Sequence, residues 1–134
     1  MTQLRISEAA ALVGVSDDTL RRWIKSEGIA TTTDDAGRAT VSGVDLAEYA
    51  GRAEPPHDES GVLRSARNRF VGLVTAIKAD TVMAQVDIQC GPFRVVSLMS
   101  SEAVEELGLE VGSVATAVVK ATTVIVETNP PGRR

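Results

Sequence analysis

The spacing of apolar residues changes character once along this chain. In the first fifty residues Ile6, Ala9, Ala10 and Val13, then Leu20, Trp23 and Ile24, recur at helical intervals. After residue 68 the pattern is that of strands: Val82, Ala84, Val86 and Ile88 alternate with Met83, Gln85, Asp87 and Gln89. A helix-period face and a strand-period face cannot be exchanged, so the chain must build a helical unit followed by a β unit. Between them runs Ala53-Glu54-Pro55-Pro56-His57-Asp58-Glu59-Ser60-Gly61. Its prolines favour extended backbone and it offers little to bury, which reads as a linker. The expected division is residues 1–52, a linker at 53–63, a second domain at 64–128 and a tail at 129–134.

Local signals in the first unit are explicit. Ser7 is expected to cap a helix over 8–13 that Gly14 ends, and Ser16 to cap a second that Gly28 ends. Asp17 and Asp18 suit the positive end of that second helix, while Arg21, Arg22 and Lys25 fall outside its apolar face. Thr31-Thr32-Thr33 and Ala39-Thr40-Val41 flank a glycine-containing turn and predict a hairpin, after which Ser42 caps a third helix. Helix, glycine turn, capped helix, hairpin and helix, in that order, describe a winged helix-turn-helix.

The second unit predicts five short strands: Arg69–Lys78, Val82–Ile88, Phe93–Leu98, Val114–Val119 and Val124–Val126. A short helix around Glu102–Leu107, capped by Ser100 or Ser101 and stopped by Gly108, precedes the fourth. That order fits a small OB-like barrel, giving an α+β chain of two domains. A domain of some 60 residues buries only about 60% of its unfolded surface, so assembly into an oligomer would supply the missing burial.

Several functions are excluded early. The only histidine, His57, falls in the linker, so neither domain can form a Ser-His or Cys-His pair, and the single cysteine, Cys90, has no partner for zinc or a disulfide. The glycines form no phosphate loop. The chain is read as no enzyme, with no metal held by side chains and no membrane span, and its composition predicts a cytoplasmic protein. A net charge of −4, with −2 on residues 1–52, leaves nucleic-acid binding to a local patch.

Leu4-Arg5-Ile6-Ser7-Glu8-Ala9-Ala10, Val13-Gly14-Val15-Ser16 and Thr19-Leu20-Arg21-Arg22-Trp23 resemble the start of MerR-type and excisionase-type DNA-binding domains. That resemblance implies double-stranded DNA as partner. Carried over by position, it nominates Ser16, Thr19, Arg21, Arg22 and Lys25 on the second helix and Arg38 on the wing. Asp17 and Asp18 would repel phosphates near that helix end.

Ser65-Ala66-Arg67-Asn68, Val104-Glu105-Glu106-Leu107-Gly108-Leu109 and Val118-Val119-Lys120-Ala121-Thr122-Thr123-Val124 resemble the Mop family, the molbindin or TOBE-type domains. The resemblance spans residues 64–127 and implies molybdate or tungstate bound between subunits of a homo-oligomer, at least a dimer and commonly a hexamer. The residues agree with that chemistry. A tetrahedral dianion only accepts hydrogen bonds, and Ser65, Arg67, Asn68, Lys120 and Thr122 are donors, while Ala66 and Ala121 leave backbone N–H groups approachable. The family often carries Thr-x-Glu-Ser at the entry to its helix; here Met99-Ser100-Ser101-Glu102-Ala103 stands there, making Ser100 and Ser101 the candidates for a second anion site. Two functions remain open: a molybdate-responsive transcriptional regulator, or a molybdate storage protein whose N-terminal module serves assembly or docking.

Overall fold

The computed structural model describes residues 2–52 and 65–130. The expected linker at 53–63 and residues 131–134 of the tail lie outside the described residues. The chain divides into two units, 1–59 and 60–134.

The first unit opens with a strand that the sequence reading missed. β1 (Gln3–Arg5) runs directly into α1 (Ile6–Val13), so the helix starts earlier than expected and Ser7 lies inside it. Arg5 occupies the N-cap position with no side-chain cap bond. Pairing with a distant strand, rather than a local cap, therefore sets this helix start. Gly14 ends α1 in the left-handed conformation at φ 75°, which costs glycine nothing. In α2 (Asp17–Glu27) the expected cap forms: the Thr19 N–H donates to the Ser16 hydroxyl at 3.1 Å.

β2 (Thr31–Thr33) and β3 (Ala39–Ser42) form the expected hairpin, and β1 joins β3 on its other edge, with Leu4 opposite Val41. α3 (Gly43–Arg52) follows, the Ser42 hydroxyl accepting from the Val44 N–H at 3.1 Å. The core holds Leu4, Ile6, Ala9, Ala10, Leu20, Val41 and Leu46, with Trp23 and Ile24 packed beside it. Trp23 meets Tyr49 of α3 at 4.7 Å between ring centres. This is the winged helix-turn-helix the sequence describes.

The second unit is an antiparallel sheet of β4 (Asn68–Ala79), β5 (Met83–Cys90), β6 (Phe93–Ser100) and β7 (Val114–Val119), in the order β6-β5-β4-β7. Val74, Val86, Ile88 and Cys90 are its buried centre, with Ile77, Val95, Met99, Ala115 and Ala117 around them. α4 (Ser101–Leu107) adds Val104 to that core, and Leu109 follows just beyond it. Gly72 on β4 permits a close crossing, because a Cβ there would lie 2.5 Å from the Gln89 carbonyl oxygen and 2.7 Å from the Cys90 sulfur.

Val82 falls outside the strand it is expected to begin. It is 67% exposed in the turn before β5, where the Asp80 carboxylate accepts from the N–H groups of Val82 and Met83, both at 2.8 Å. The expected fifth strand is also absent from the described residues. A 3-10 turn at Ala121–Thr123 separates Val124–Val126 from β7, and that stretch pairs with no described strand. Val124 is extended, at φ −79° and ψ 125°, without joining the sheet. Val124, Ile125 and Val126 are 48%, 86% and 85% exposed.

Candidate functional site

The two stretches read as anion donors lie more than fifty residues apart, and the sheet joins them. β4 and β7 run antiparallel with Asn68 opposite Val119, so Ser65–Arg67, leading into β4, and Lys120–Thr122, leaving β7, extend from the same end of that strand pair. The Asn68 side-chain amide donates to the Val119 carbonyl at 3.1 Å across that junction. Arg67 bends back, its guanidinium donating to the Ser65 carbonyl at 3.1 Å, while its side chain stays exposed.

Beyond β7 the Lys120 carbonyl accepts from the Thr123 N–H at 3.0 Å and from the Thr123 hydroxyl at 2.8 Å. A turn of this kind takes up the N–H of its third residue, so those of Ala121 and Thr122 are not consumed within it. Lys120, Ala121 and Thr122 are all exposed, as is Ser65. Neither stretch contains a carboxylate, so the junction combines two cations, hydroxyls and backbone donors with no opposing negative charge of its own. That inventory suits a ligand that only accepts hydrogen bonds.

The two serines considered for a second anion site already serve the fold. The Ser100 hydroxyl caps α4 by accepting from the Ala103 N–H at 3.1 Å, and the Ser101 hydroxyl donates to the Asp80 carbonyl at 2.7 Å.

On the first unit, Arg21, Arg22 and Lys25 lie exposed along α2, and Arg38 is exposed in the turn between β2 and β3. Ser16 and Thr19 are tied to each other, the Ser16 hydroxyl donating to that of Thr19 at 2.9 Å. Asp17 and Asp18 are exposed in the first turn of α2.

Sequence reasoning missed two features. One is Asp34, whose carboxylate accepts from the Ala36 and Arg38 N–H groups, each at 2.9 Å, and pairs with Arg5 at 3.0 Å. The other is a cleft of about 580 Å³ lined by residues 95–99 of β6 and 114–119 of β7, the two outer strands of the sheet. Nothing local in the sequence signals this cleft, because its two walls are strands separated by β5 and β4 in the sheet. Among the described residues, seventeen large apolar side chains stand exposed, and fifteen of them follow residue 68.

Comparison with known proteins bears on both units. Residues 64–126 match the TOBE domain family, and residues 4–53 match a helix-turn-helix domain family. Molybdenum-pterin-binding protein 2 of Clostridium pasteurianum is 41% identical over 63 residues, which is 46% of this chain and 93% of that protein. A probable molybdenum-pterin-binding protein of Haemophilus influenzae is 48% identical over 63 residues, 46% of this chain and 91% of that protein. Among solved structures, the cytoplasmic molybdate-binding protein ModG with molybdate bound is 42% identical, with a TM-score of 0.47 over 51% of this chain and 49% of that one. Both curated relatives are named for binding, not for a catalysed reaction. Among the described residues no helix is long and apolar enough to cross a membrane.

Proposed function

The chain belongs to the TOBE-domain family of the molybdenum-pterin-binding proteins and carries a helix-turn-helix domain ahead of it, and from that premise we propose that it is a molybdate- or tungstate-responsive DNA-binding regulator. The observation that supports the ligand reading is the β4–β7 register, with Asn68 opposite Val119, from which Ser65–Arg67 and Lys120–Thr122 extend at one end of the strand pair. Each charge-assisted hydrogen bond to an oxyanion contributes roughly 1.5–3 kcal/mol. Ser65, Arg67, Lys120, Ala121 and Thr122 all stand exposed to solvent, so one protomer does not enclose four oxygens. The site is completed by a second copy.

The unpartnered ends of the sheet support that assembly. The Val124–Val126 segment of one protomer fits the cleft between β6 and β7 of another, where strand edges and apolar side chains are both available. Lys120–Thr122 end one residue before that segment, so anion and subunit contact share one stretch of chain. The oxyanion thereby biases the assembly, and with it the spacing of the helix-turn-helix units on DNA. Arg21, Arg22 and Lys25 of α2 face the major groove and Arg38 the flanking backbone. Linkage is reciprocal, so operator DNA alters anion affinity by the same factor.

The net charge of −2 on residues 1–52, together with exposed Asp17 and Asp18, favours a second reading: a molybdate storage protein whose first unit docks or assembles. Measuring DNA affinity at fixed salt with and without molybdate separates the two. A regulator shows an anion-dependent change; unchanged affinity on every DNA selected by the protein leaves storage standing.

A further inference from the structure

Resting on the reading that the first unit binds DNA, we propose that Asp34 is the residue that positions the wing for DNA, by holding Arg38 in place and tying the wing turn to Arg5. Both backbone groups of Arg38 are engaged by this one residue: the Arg38 N–H donates to the Asp34 carboxylate at 2.9 Å, and its carbonyl accepts from the Asp34 N–H at 2.9 Å. The same carboxylate oxygen accepts from the Ala36 N–H at 2.9 Å, and the Asp34 carbonyl accepts from the Gly37 N–H at 2.9 Å. Gly37, at φ 78°, supplies the left-handed residue that the turn requires. The turn is closed from within.

The second carboxylate oxygen reaches outside the turn. It accepts from Arg5 Nε at 3.0 Å. Arg5 ends β1 and immediately precedes α1, so the pair links the base of the wing turn to the start of the helix-turn-helix itself. The Asp34 side chain is 24% exposed and that of Arg5 45%. The Arg38 N–H above all, and then Arg5, hold the Asp34 carboxyl below its ordinary value, so it is ionised throughout the neutral range. A five-residue turn left to itself must be ordered when it meets DNA, at a cost in conformational entropy. Asp34 orders it beforehand and leaves only the Arg38 side chain to settle on a phosphate.

Electrostatics alone predicts the opposite consequence. A carboxylate close to a DNA-facing wing repels phosphate, so a purely repulsive Asp34 would be improved by its removal. The test uses the full chain and DNA selected by the wild type. Asp34→Ala is expected to weaken DNA affinity about tenfold, as the loss of one charge-assisted contact does, and to lower the salt slope by about one. Asp34→Asn keeps an oxygen for the turn but loses the ion pair, so it weakens binding less; it also keeps the test open if the alanine variant melts early. In an Arg38→Ala background Asp34→Ala should have no further effect. Tighter or unchanged binding by both variants, or a full effect persisting without Arg38, overturns the proposal while leaving the DNA reading intact. A wild type that retains no DNA overturns both.

Discussion

The Asn68 amide donates to the Val119 carbonyl at 3.1 Å, bonding the first residue of β4 to the last of β7. The candidate oxyanion site stands on this junction. Its donors come from the chain just before Asn68 and just after Val119, so the register of one strand pair fixes how far apart they lie.

Lys120 supplies a full positive charge there. Lys120→Ala should weaken molybdate binding by roughly one charge-assisted contact, about 10- to 100-fold, and leave apo DNA affinity unchanged. Calorimetry on both proteins checks it, and equal affinities would remove Lys120 from the site.

Arg21 and Arg22 are exposed on α2. If they neutralise phosphates, replacing both with alanine should lower DNA affinity and reduce the salt slope by about two. Affinities measured across a salt series decide this, and an unchanged slope would move the DNA contact elsewhere.

Gly72 has no room for a side chain. Gly72→Ala puts a methyl group 2.5 Å from the Gln89 carbonyl oxygen, which is backbone and cannot swing aside. The expected destabilisation is about 1–3 kcal/mol, read as a lower melting temperature of the second unit.

Asp87 predicts an acid dependence. Arg94 pairs with it at 2.7 Å and, followed by Gln85, holds its carboxyl below the ordinary value of 3.8. A carboxyl whose value is lowered by folding stabilises the fold above its unfolded value and loses that contribution as pH falls through the folded one. Asp87→Asn should therefore flatten the loss of stability below about pH 4, measured by melting across a pH series. An unaltered acid limb would contradict the pairing.

How much of this was legible depended on distance along the chain. The caps at Ser16 and Ser42 and the stops at Gly14 and Gly28 are local, and they could be read residue by residue. β1 was missed because Gln3, Leu4 and Arg5 are too few to show a period, and their partners, Thr40 to Ser42, lie far along the chain. Val124–Val126 read as a strand on β-propensity, which says nothing about whether an edge is free to receive it. The candidate anion donors could be named individually, but only the β4–β7 register puts the two stretches that carry them at one end of the sheet. Asp34 looked like an ordinary turn residue, since its tie to Arg5 spans 29 positions.

The central claim is that protomers pool these donors around one oxoanion. The direct measurement is calorimetric titration of molybdate into the full chain beside Lys120→Ala, with sedimentation recording the assembly of each. The account predicts saturable binding at micromolar molybdate to an oligomer, greatly weakened in the variant. A wild type that takes up neither molybdate nor tungstate at that concentration, or a monomer that binds as tightly as the oligomer, would contradict it.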